Sequence, residues 1–524
     1  MKKQIRFVKY IISFLLAAAI MIPAADIVTA EELMAAVDFD VLVDGSAVYG
    51  YVPVPKERLD KETAETEEPT EETQEETVEK RMTLGAYTNG YDNKMYVSLR
   101  DLAVLLKGTA SQFQFEMDFE QDSYSITTGQ AYEAQEPVMV DMEPETLEGD
   151  YYDRDGNLRN KDDQIAFYKD DLSEPASRPQ YEYLELYLNP LMINGAEVRY
   201  YTYQLSIMRD IYMDIIDVQL MLGITIEKSG DGSLNIYTDR GFDINLDEYV
   251  QDGYFDLYNG VLLGDASTGE ILFGFKEENV DAIASTSKLM TYMVAARYLE
   301  LGRISMDDLV TLSQNVENLS YSGNGTLLMD AGWQITVRDL IAATLINSSN
   351  ESALALAEYI AGSEAEFVKL MNEMARVLEL DSAKFCNSNG LPVYSDSLIA
   401  SKRQNMMNVK DLFRLVEVIL RKYPQVTEFT SSKSMYLPTF DFTVWNTSYL
   451  LYNMDNAIGL KTGTTDEAGC CLVGAVNAPT SDGDHVLTAI IIGAENNIDR
   501  YQVPEVLLTW GMNQLKNTAQ SPKS

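Results

Sequence analysis

The sequence predicts an α+β protein in which a small repeat domain precedes a larger mixed domain. In the first half, an Asp-Gly or Asn-Gly turn, a short helical pattern and a closing strand pattern occur twice as a weak internal repeat. In the second half, a hairpin signal at 260–273 leads to a helix that is apolar on nearly every side, and strand patterns return near the C-terminus. No Rossmann or P-loop pattern interrupts this organisation.

Both copies of the repeat lie between residues 37 and 239, and two insertions interrupt them. The insertions, 56–81 and 133–178, are acidic and are predicted to be disordered. Each copy is predicted to form a hairpin, a short helix and a closing strand, at 38–45, 95–106 and 124–127 in the first copy and at 188–195, 212–223 and 234–237 in the second.

The chain is therefore divided into segments with different predicted roles. The repeat domain is placed at 33–245 and the second domain at 255–515, with a linker at 243–256 and a disordered tail at 516–524. Residues 1–30 have a basic start, a short apolar run and small residues ending at Ala30, which is typical of an export signal. Cleavage after Ala30 is the preferred interpretation and an uncleaved membrane anchor is the alternative; either places the rest of the chain outside the cytoplasm.

The composition excludes several classes of function. With 40 Lys and Arg residues against 82 Asp and Glu residues, the net charge is -42, which argues against nucleic acid or an anionic membrane surface as the main partner. The single histidine, His485, cannot form a zinc site with two or more His ligands. The three cysteines lack metal-ligand spacing, so we expect buried thiols, no metal site and no cofactor.

The helix that begins near Ser285 carries the first chemical signal. Ser285 and Lys288 are three residues apart, so in the first turn of a helix both side chains lie on one face. Amide groups at a helix N-terminus have no intrahelical partner and can receive an oxyanion. A neighbouring amine can accept the serine's proton if it is neutral. Because a Ser-His-Asp triad would depend on His485 alone, a serine hydrolase of this sequence is expected to use lysine as its base.

Two more motifs follow in the same domain. Ser348 and Asn350 lie in a Ser-x-Asn turn between two predicted helices, where polar side chains can converge on a cleft. A rival copy at 322–324 lies in a Gly- and Ser-rich loop, and the first copy is preferred because rigid elements support it. Lys461, Thr462 and Gly463 form a Lys-Thr-Gly motif that is followed by strand patterns.

Ser-x-x-Lys, Ser-x-Asn and Lys-Thr-Gly in this order resemble the penicillin-recognising serine enzymes. The flanks at 265–272, 389–391 and 464–469 are similar to the D-alanyl-D-alanine carboxypeptidases, the low-molecular-mass penicillin-binding proteins. The resemblance covers about residues 255–515 and implies a β-lactamase-like fold. In that fold, a five-stranded antiparallel sheet has helices on both sides and a helical lobe completes the cleft. Ile283, Ser287 and Asn405 depart from the family pattern without removing a catalytic group.

The resemblance also implies a role for each residue of the motifs. Ser285 would be the nucleophile, Lys288 its base, and Ser348 the relay of the proton to the leaving amine. The remaining residues would bind substrate: Asn350 its backbone amide, and Lys461 with Thr462, Gly463 and Thr464 the terminal carboxylate of the leaving D-alanine. The amides of Ser285 and Thr464 would form the oxyanion hole. The expected partners are peptidoglycan stem peptides, with β-lactams as covalent inhibitors, at the cell surface of a bacterium.

The repeat domain resembles the small module named after the N-terminal domain of copper amine oxidases, which would make it a stalk or a wall-binding domain. It contains no histidine, so copper is not expected. Two alternatives remain for the whole protein. One is a surface protein that binds wall peptide without catalysis, and the other is a β-lactamase. The second is disfavoured because no Glu-x-x-x-Asn loop for deacylation lies between Asn350 and Lys461.

Overall fold

A computed structural model describes residues 33–53, 77–88, 94–118, 123–133, 151–152, 158–159, 181–183, 186–205, 210–251, 253–393, 403–481 and 483–520. The predicted export signal at 1–30 lies outside these residues. The chain separates into an N-terminal unit that ends at Asp243 and a C-terminal unit that starts at Ile244. In the described part of the chain, no helix is both long enough and apolar enough to cross a membrane.

In its described residues, the N-terminal unit contains a large sheet and two short helices, α1 (Leu99–Leu105) and α2 (Ile215–Leu222). The strands of the first copy of the repeat are β1 (Leu33–Val43), β2 (Ser46–Ala47), β3 (Tyr49–Pro53), β4 (Thr77–Arg81), β5 (Thr83–Thr88), β6 (Met95–Ser98), β7 (Phe113–Asp118) and β8 (Ser123–Thr128). Between the copies lie β9 (Tyr151–Tyr152), β10 (Leu158–Arg159) and β11 (Tyr181–Tyr183). The second copy contains β12 (Leu186–Ile193), β13 (Ala196–Leu205), β14 (Asp210–Asp214), β15 (Thr225–Lys228) and β16 (Leu234–Tyr237).

The two copies of the repeat exchange their closing strands. The sheet runs in the order β15-β16-β1-β5-β6-β14-β13-β12-β8-β7, which is symmetric about the β6–β14 pair. The closing strand of the second copy pairs in parallel with β1, and that of the first copy pairs in parallel with β12. Both hairpin turns repeat the same contact, because Asp44 accepts a hydrogen bond from the Thr238 amide and Asn194 accepts one from the Thr128 amide. Each half of the sheet therefore contains strands from both copies.

The C-terminal unit is centred on a five-stranded antiparallel sheet of order β18-β17-β27-β26-β25. The strands of this unit are β17 (Gly260–Asp265), β18 (Glu270–Phe275), β19 (Asp281–Ala282), β20 (Leu309–Thr311), β21 (Gln334–Thr336), β22 (Met406–Met407), β23 (Ser434–Leu437), β24 (Phe442–Trp445), β25 (Ala457–Thr465), β26 (Gly469–Thr480) and β27 (Gly483–Ala494). Its helices are α3 (Leu246–Gln251), α4 (Lys288–Glu300), α5 (Gln314–Ser320), α6 (Val337–Ile346), α7 (Asn350–Ala361), α8 (Glu364–Val377), α9 (Val409–Lys422), α10 (Thr427–Thr430), α11 (Leu450–Asn453) and α12 (Asn497–Gln520), with 3₁₀ turns at Ala284–Ser287 and Pro424–Val426.

Helices cover both faces of this sheet. Successive strand residues point to opposite faces, so Ile490 packs with α4, α6 and α9 in one core while Ile491 packs with α3 and α12 in another. Helices α5 to α8 form the lobe beside α4. Residues 288–296 of α4 are all buried, as its all-round apolar pattern predicts. The predicted α+β fold, a five-stranded sheet between helices with a helical lobe, is confirmed.

The boundaries of several segments differ from the sequence-based expectation. The predicted linker at 243–256 instead forms α3, and Phe255 is fully buried in the core on that side of the sheet. Helix α12 continues to Gln520, into the predicted tail. Strand β4 occupies the end of the first insertion, and β9 pairs with β10 inside the second. Apart from Glu133, the remainder of both insertions lies outside the described residues.

Candidate active site

Ser285 lies in a single 3₁₀ turn that precedes α4, rather than in the first α-helical turn. The hydroxyls of its two neighbours serve the backbone: Thr286 donates to the Ile283 carbonyl and Ser287 donates to the Ala284 carbonyl. The Ser285 hydroxyl is instead directed at Lys288, with 2.8 Å between Oγ and Nζ. The Thr286 and Ser287 hydroxyls thus stabilise the backbone of the turn, whereas the Ser285 hydroxyl faces the Lys288 amine.

Lys288 is completely buried, and its Nζ lies within hydrogen-bond distance of three oxygens. They are Ser285 Oγ at 2.8 Å, Asn350 Oδ1 at 2.8 Å and the Asn389 carbonyl at 2.7 Å. The last two can only accept, whereas a hydroxyl can also donate. An ammonium could donate to all three oxygens. A neutral amine also fits the site, because it can donate to both carbonyl-type oxygens and accept from the serine hydroxyl.

Electrostatics favour the same protonation state. Burial lowers the pKa of Lys288 well below its usual value, the nearby Lys461 cation lowers it further, and Glu351 acts in the opposite direction. Desolvation disfavours an ammonium, and a second positive charge does so too. Both effects favour the neutral amine, which is the form that a general base requires.

Strand β25 brings Lys461 and its neighbours to the same turn. Lys461 is buried and donates to the Thr462 carbonyl at 3.0 Å. Burial, and secondarily the Arg500 cation, lower the pKa of Lys461 to about 7. A Cβ on Gly463 would lie 3.0 Å from the Ser285 amide nitrogen, so only glycine allows β25 to approach the nucleophile this closely. Thr462 and Thr447 share a hydrogen bond of 2.6 Å between their hydroxyls.

Arg500 is a candidate binding residue that the sequence interpretation missed. It lies in the first turn of α12, is almost fully buried, and donates from Nη2 to the Thr464 hydroxyl and to the Gly463 carbonyl. The helix begins four residues before its predicted start, where Asn496 accepts hydrogen bonds from the Ile498 and Asp499 amides. A basic residue in a first helical turn opposes the helix dipole. That mismatch, with the Asn-x-x-Asp cap before it, is the sequence signal that could have identified Arg500.

The Ser-x-Asn turn reaches the cluster through Asn350. Asn350 opens α7, and its amide bridges Lys288 on one side and the Asn324 carbonyl on the other, with Nδ2 2.9 Å from that oxygen. Ser348 lies half-buried in the turn before α7 with a φ of 62° and makes no hydrogen bond to another described residue. In the rival copy, the Ser322 hydroxyl makes only local backbone contacts. Asn350 therefore forms a hydrogen bond with Lys288, whereas Ser348 does not.

The turn at Asn389 completes the surroundings of Lys288. Gly390 has a φ of 90°, and a Cβ there would lie 2.0 Å from the Ala284 carbonyl oxygen. Asn405 accepts hydrogen bonds from the Cys386 and Asn387 backbone amides and so supports this turn. Asn405 therefore has a supporting position below the nucleophile.

The histidine and the cysteines make no hydrogen bond to Lys288 in the described part of the chain, although Cys470 and Cys471 of β26 pair with Thr464 and Gly463 of β25. His485 contacts the buried Asp265 carboxylate, with 2.7 Å between Nδ1 and Oδ2. Cys470 and Cys471 are buried thiols and Cys386 is half-buried, so two of the three match the expected burial. Among the described residues, no group of three or more His, Cys, Asp or Glu side chains is arranged to hold a metal ion.

Comparisons with known proteins concern the C-terminal unit. Residues 259–496 match a family model described as D-alanyl-D-alanine carboxypeptidase. The chain is 33% identical over 254 residues to D-alanyl-D-alanine carboxypeptidase DacD of Escherichia coli K12, covering 48% of this chain and 62% of that protein. It is 30% identical over 242 residues to DacF of Bacillus subtilis 168, covering 46% of this chain and 58% of that protein. The chain thus spans about 60% of the length of these curated relatives.

One solved structure gives a comparable match. Penicillin binding protein 6B from Escherichia coli is 31% identical, with 48% of this chain and 77% of that chain covered and a TM-score of 0.43.

Proposed function

We propose that this protein is a serine-type D-alanyl-D-alanine carboxypeptidase, because residues 259–496 match the family model of that description, as the three motifs predicted. It removes the terminal D-alanine from peptidoglycan stem peptides through an acyl-enzyme on Ser285. The observation that carries the proposal is the coordination of Lys288, whose amine faces Ser285 Oγ and two obligate acceptors. The resemblance of the N-terminal unit to the copper amine oxidase module stays a prediction.

Acylation begins with proton transfer from Ser285 to neutral Lys288. Oγ attacks the carbonyl carbon of the penultimate D-alanine, and the resulting oxyanion is received by the amides of Ser285 and Thr464. Lys288 then carries the proton, which passes to the leaving amine through Ser348. The C–N bond breaks and D-alanine leaves. Water hydrolyses the ester in the second half of the reaction and regenerates the Ser285 hydroxyl. Ser348 makes no hydrogen bond to Lys288 in this structure, so the proposed relay requires the Ser348 hydroxyl to approach Lys288 during the reaction.

Specificity for a chain end comes from fixed cations. Lys461 and the hydroxyls of Thr462 and Thr464 are assigned to the terminal carboxylate, and we add Arg500 because its guanidinium already contacts Thr464. Charge-assisted hydrogen bonds are stronger than neutral ones, so two buried cations beside one strand favour a free carboxylate over a continuing peptide. Asn350 is assigned to the substrate's backbone amide, and Gly463 allows the close approach of β25.

Penicillins are expected to acylate Ser285 and to remain attached. A β-lactam presents an amide and a carboxylate in the positions of the D-Ala-D-Ala terminus, and no Glu-x-x-x-Asn loop is present to speed deacylation. We assign the reaction to the outside of the cytoplasm, at the surface of a bacterium, with residues 1–30 directing export or acting as an anchor. The N-terminal unit is assigned the role of a stalk or wall-binding domain.

The test is release of D-alanine from a peptide that ends in L-Lys-D-Ala-D-Ala. The wild-type protein should release one D-alanine per peptide, and Ser285→Ala should release none. The same peptide with a C-terminal amide should be a poor substrate. No release by wild-type protein, together with no penicillin adduct, would favour a non-catalytic wall-binding protein. Rapid hydrolysis of penicillin without accumulation of an adduct would favour the β-lactamase.

A further inference from the structure

Glu351 is a fully buried carboxylate directly after Asn350 in the first turn of α7. Its two oxygens accept hydrogen bonds from the Thr326 amide and hydroxyl, from the Leu327 amide at 3.3 Å and from the Ser349 hydroxyl at 2.9 Å. Four donors on one carboxylate, at a helix N-terminus, compensate for its burial. The proposed mechanism assigns no role to this group.

The donors on Glu351 belong to the loop that also contacts Asn350. This loop, residues 321–327, follows α5. Thr326 Oγ1 accepts a hydrogen bond from the Asn350 backbone amide at 3.0 Å, and the Asn324 carbonyl accepts one from the Asn350 side chain, through Nδ2, at 2.9 Å. Because a carbonyl only accepts, this contact specifies which end of the Asn350 side chain carries nitrogen. The oxygen end must then face Lys288.

Release of the loop would remove that specification. The side-chain amide of Asn350 could rotate and present Nδ2 to Lys288. Lys288 Nζ would then lose one of the two oxygens near it that can only accept a hydrogen bond. The lone pair of Lys288 would then no longer be directed uniquely at Ser285. The described charged groups that act on Lys288 are Lys461 from β25 and Glu351 from α7, so Glu351 affects the base through its charge as well as through the loop.

We propose that Glu351 is a positioning residue for acylation: its carboxylate holds loop 321–327 against the start of α7 and thereby orients Asn350 with its oxygen toward Lys288. The inference rests on the proposed function, since it concerns the same base and nucleophile. Glu351 makes no hydrogen bond to Ser285 or Lys288; it positions the base through Asn350, and its charge is a second, separate influence on Lys288.

The test uses the full chain, a fluorescent penicillin and three variants. Glu351→Gln keeps the shape but removes the charge and presents an NH₂ group to backbone donors. We expect its second-order acylation rate constant to fall by about 10- to 100-fold, which is typical for a misplaced catalytic group. The pH at which acylation is half-maximal on the acidic side should also move to lower values, because the negative charge that favours protonated Lys288 is lost.

Thr326→Val separates position from charge. It removes the hydroxyl that links Glu351 to Asn350 but keeps the carboxylate, so it should slow acylation without moving that pH midpoint. Glu358→Gln is the matched control: Glu358 lies on the same helix, accepts from Ser313 and Asn315, and is remote from Lys288 in the hydrogen-bond network. Its acylation rate should equal that of the wild type. Thermal unfolding of each variant gives the folded fraction to which rates are normalised.

The inference is overturned if Glu351→Gln and Thr326→Val acylate at the wild-type rate per folded molecule. It is also overturned if Glu358→Gln slows acylation as much as Glu351→Gln does, since Glu351 would then support only the fold. If Glu351→Gln does not fold, the rate of Thr326→Val decides alone. Absence of an adduct on wild-type protein would instead refute the proposed function, so the two failures are distinguishable.

Discussion

Replacing Arg500 with glutamine should weaken binding of the substrate carboxylate without disturbing the nucleophile. The guanidinium lies against Thr464 and Gly463 on β25, so its loss removes one charge-assisted hydrogen bond to the carboxylate. Such a bond contributes about 1.5–3 kcal/mol, which corresponds to a KM about 10- to 150-fold higher. Because the bond is present both before and during acylation, kcat should change little.

The same substitution should change the pH profile in a defined direction. Arg500 is the second cause, after burial, of the lowered pKa of Lys461, which is about 7. In the wild-type protein, kcat/KM for the carboxylate-ended peptide should therefore fall as the pH rises through about 7 and Lys461 loses its charge. Without the neighbouring cation, Lys461 holds its proton more strongly, and the decline in Arg500→Gln should begin at higher pH.

The assay is D-alanine release from a carboxylate-ended peptide as a function of pH. Arg421→Gln is the control, because Arg421 is an exposed arginine paired with Glu417. An unchanged KM in Arg500→Gln, or a decline that moves to lower pH, would refute the assignment of Arg500 and the electrostatic account of Lys461.

Three further substitutions test the surroundings of the nucleophile. Lys461→Met should stabilise the fold most below pH 7. The pKa of Lys461 is about 7 in the folded protein and 10.5 in the unfolded chain, so burying the protonated amine costs the wild type stability at low pH. That cost decreases as the pH rises from 7 to 10.5, and the advantage of methionine decreases with it. Chemical unfolding at pH 6 and pH 9 checks this, and a larger difference at pH 9 would contradict it. Gly390→Ala should destabilise the fold by about 2 kcal/mol or more, because its Cβ meets the Ala284 carbonyl in a left-handed conformation; an unchanged melting temperature would contradict this. Gly463→Ala should lower the melting temperature less than Gly390→Ala does, but it should slow penicillin acylation by about tenfold or more, because its Cβ would lie against the Ser285 amide nitrogen. Acylation at the wild-type rate would show instead that β25 can move away from Ser285 at no cost.

The residue types and spacing of the motifs were sufficient to predict that Ser285, Lys288 and Asn350 lie together. Ser285 and Lys288 are three residues apart, so any tight helical turn brings them together, and the 3₁₀ turn does so as well as the expected α-turn. Asn350 was predicted as part of the site because it lies at a break between two helices. The Asn389 carbonyl was not predicted, because backbone groups have no sequence signature and Asn389 is 101 residues from Lys288.

Other differences arise from long-range packing. Phe255 is apolar and becomes buried against the sheet, so the predicted linker is an ordered part of the C-terminal unit. Asp339 lies three residues after the helix cap Thr336, where an acidic side chain can reach back to the cap, but its carboxylate accepts hydrogen bonds from Thr439 instead. When a side chain has two possible hydrogen-bond partners, the tertiary structure determines which of them lies close enough to bind.

The exchange of closing strands in the N-terminal unit could not be predicted from the sequence. Both copies have the same alternation of apolar residues, so either closing strand satisfies either hairpin equally well. In the structure, β16 lies beside β1 and β8 beside β12. Only the connections between the copies distinguish the two pairings, and those are the least patterned part of the chain.

The location of the penicillin adduct tests most directly the claim that a neutral lysine activates Ser285. Trypsin releases residues 277–288, which contain Ser285 together with Thr286 and Ser287. After incubation with benzylpenicillin, fragmentation of this peptide should place the penicilloyl group on Ser285 in the wild-type protein, and Lys288→Ala should remain unmodified. An adduct on another residue, or undiminished acylation of Lys288→Ala, would contradict the claim.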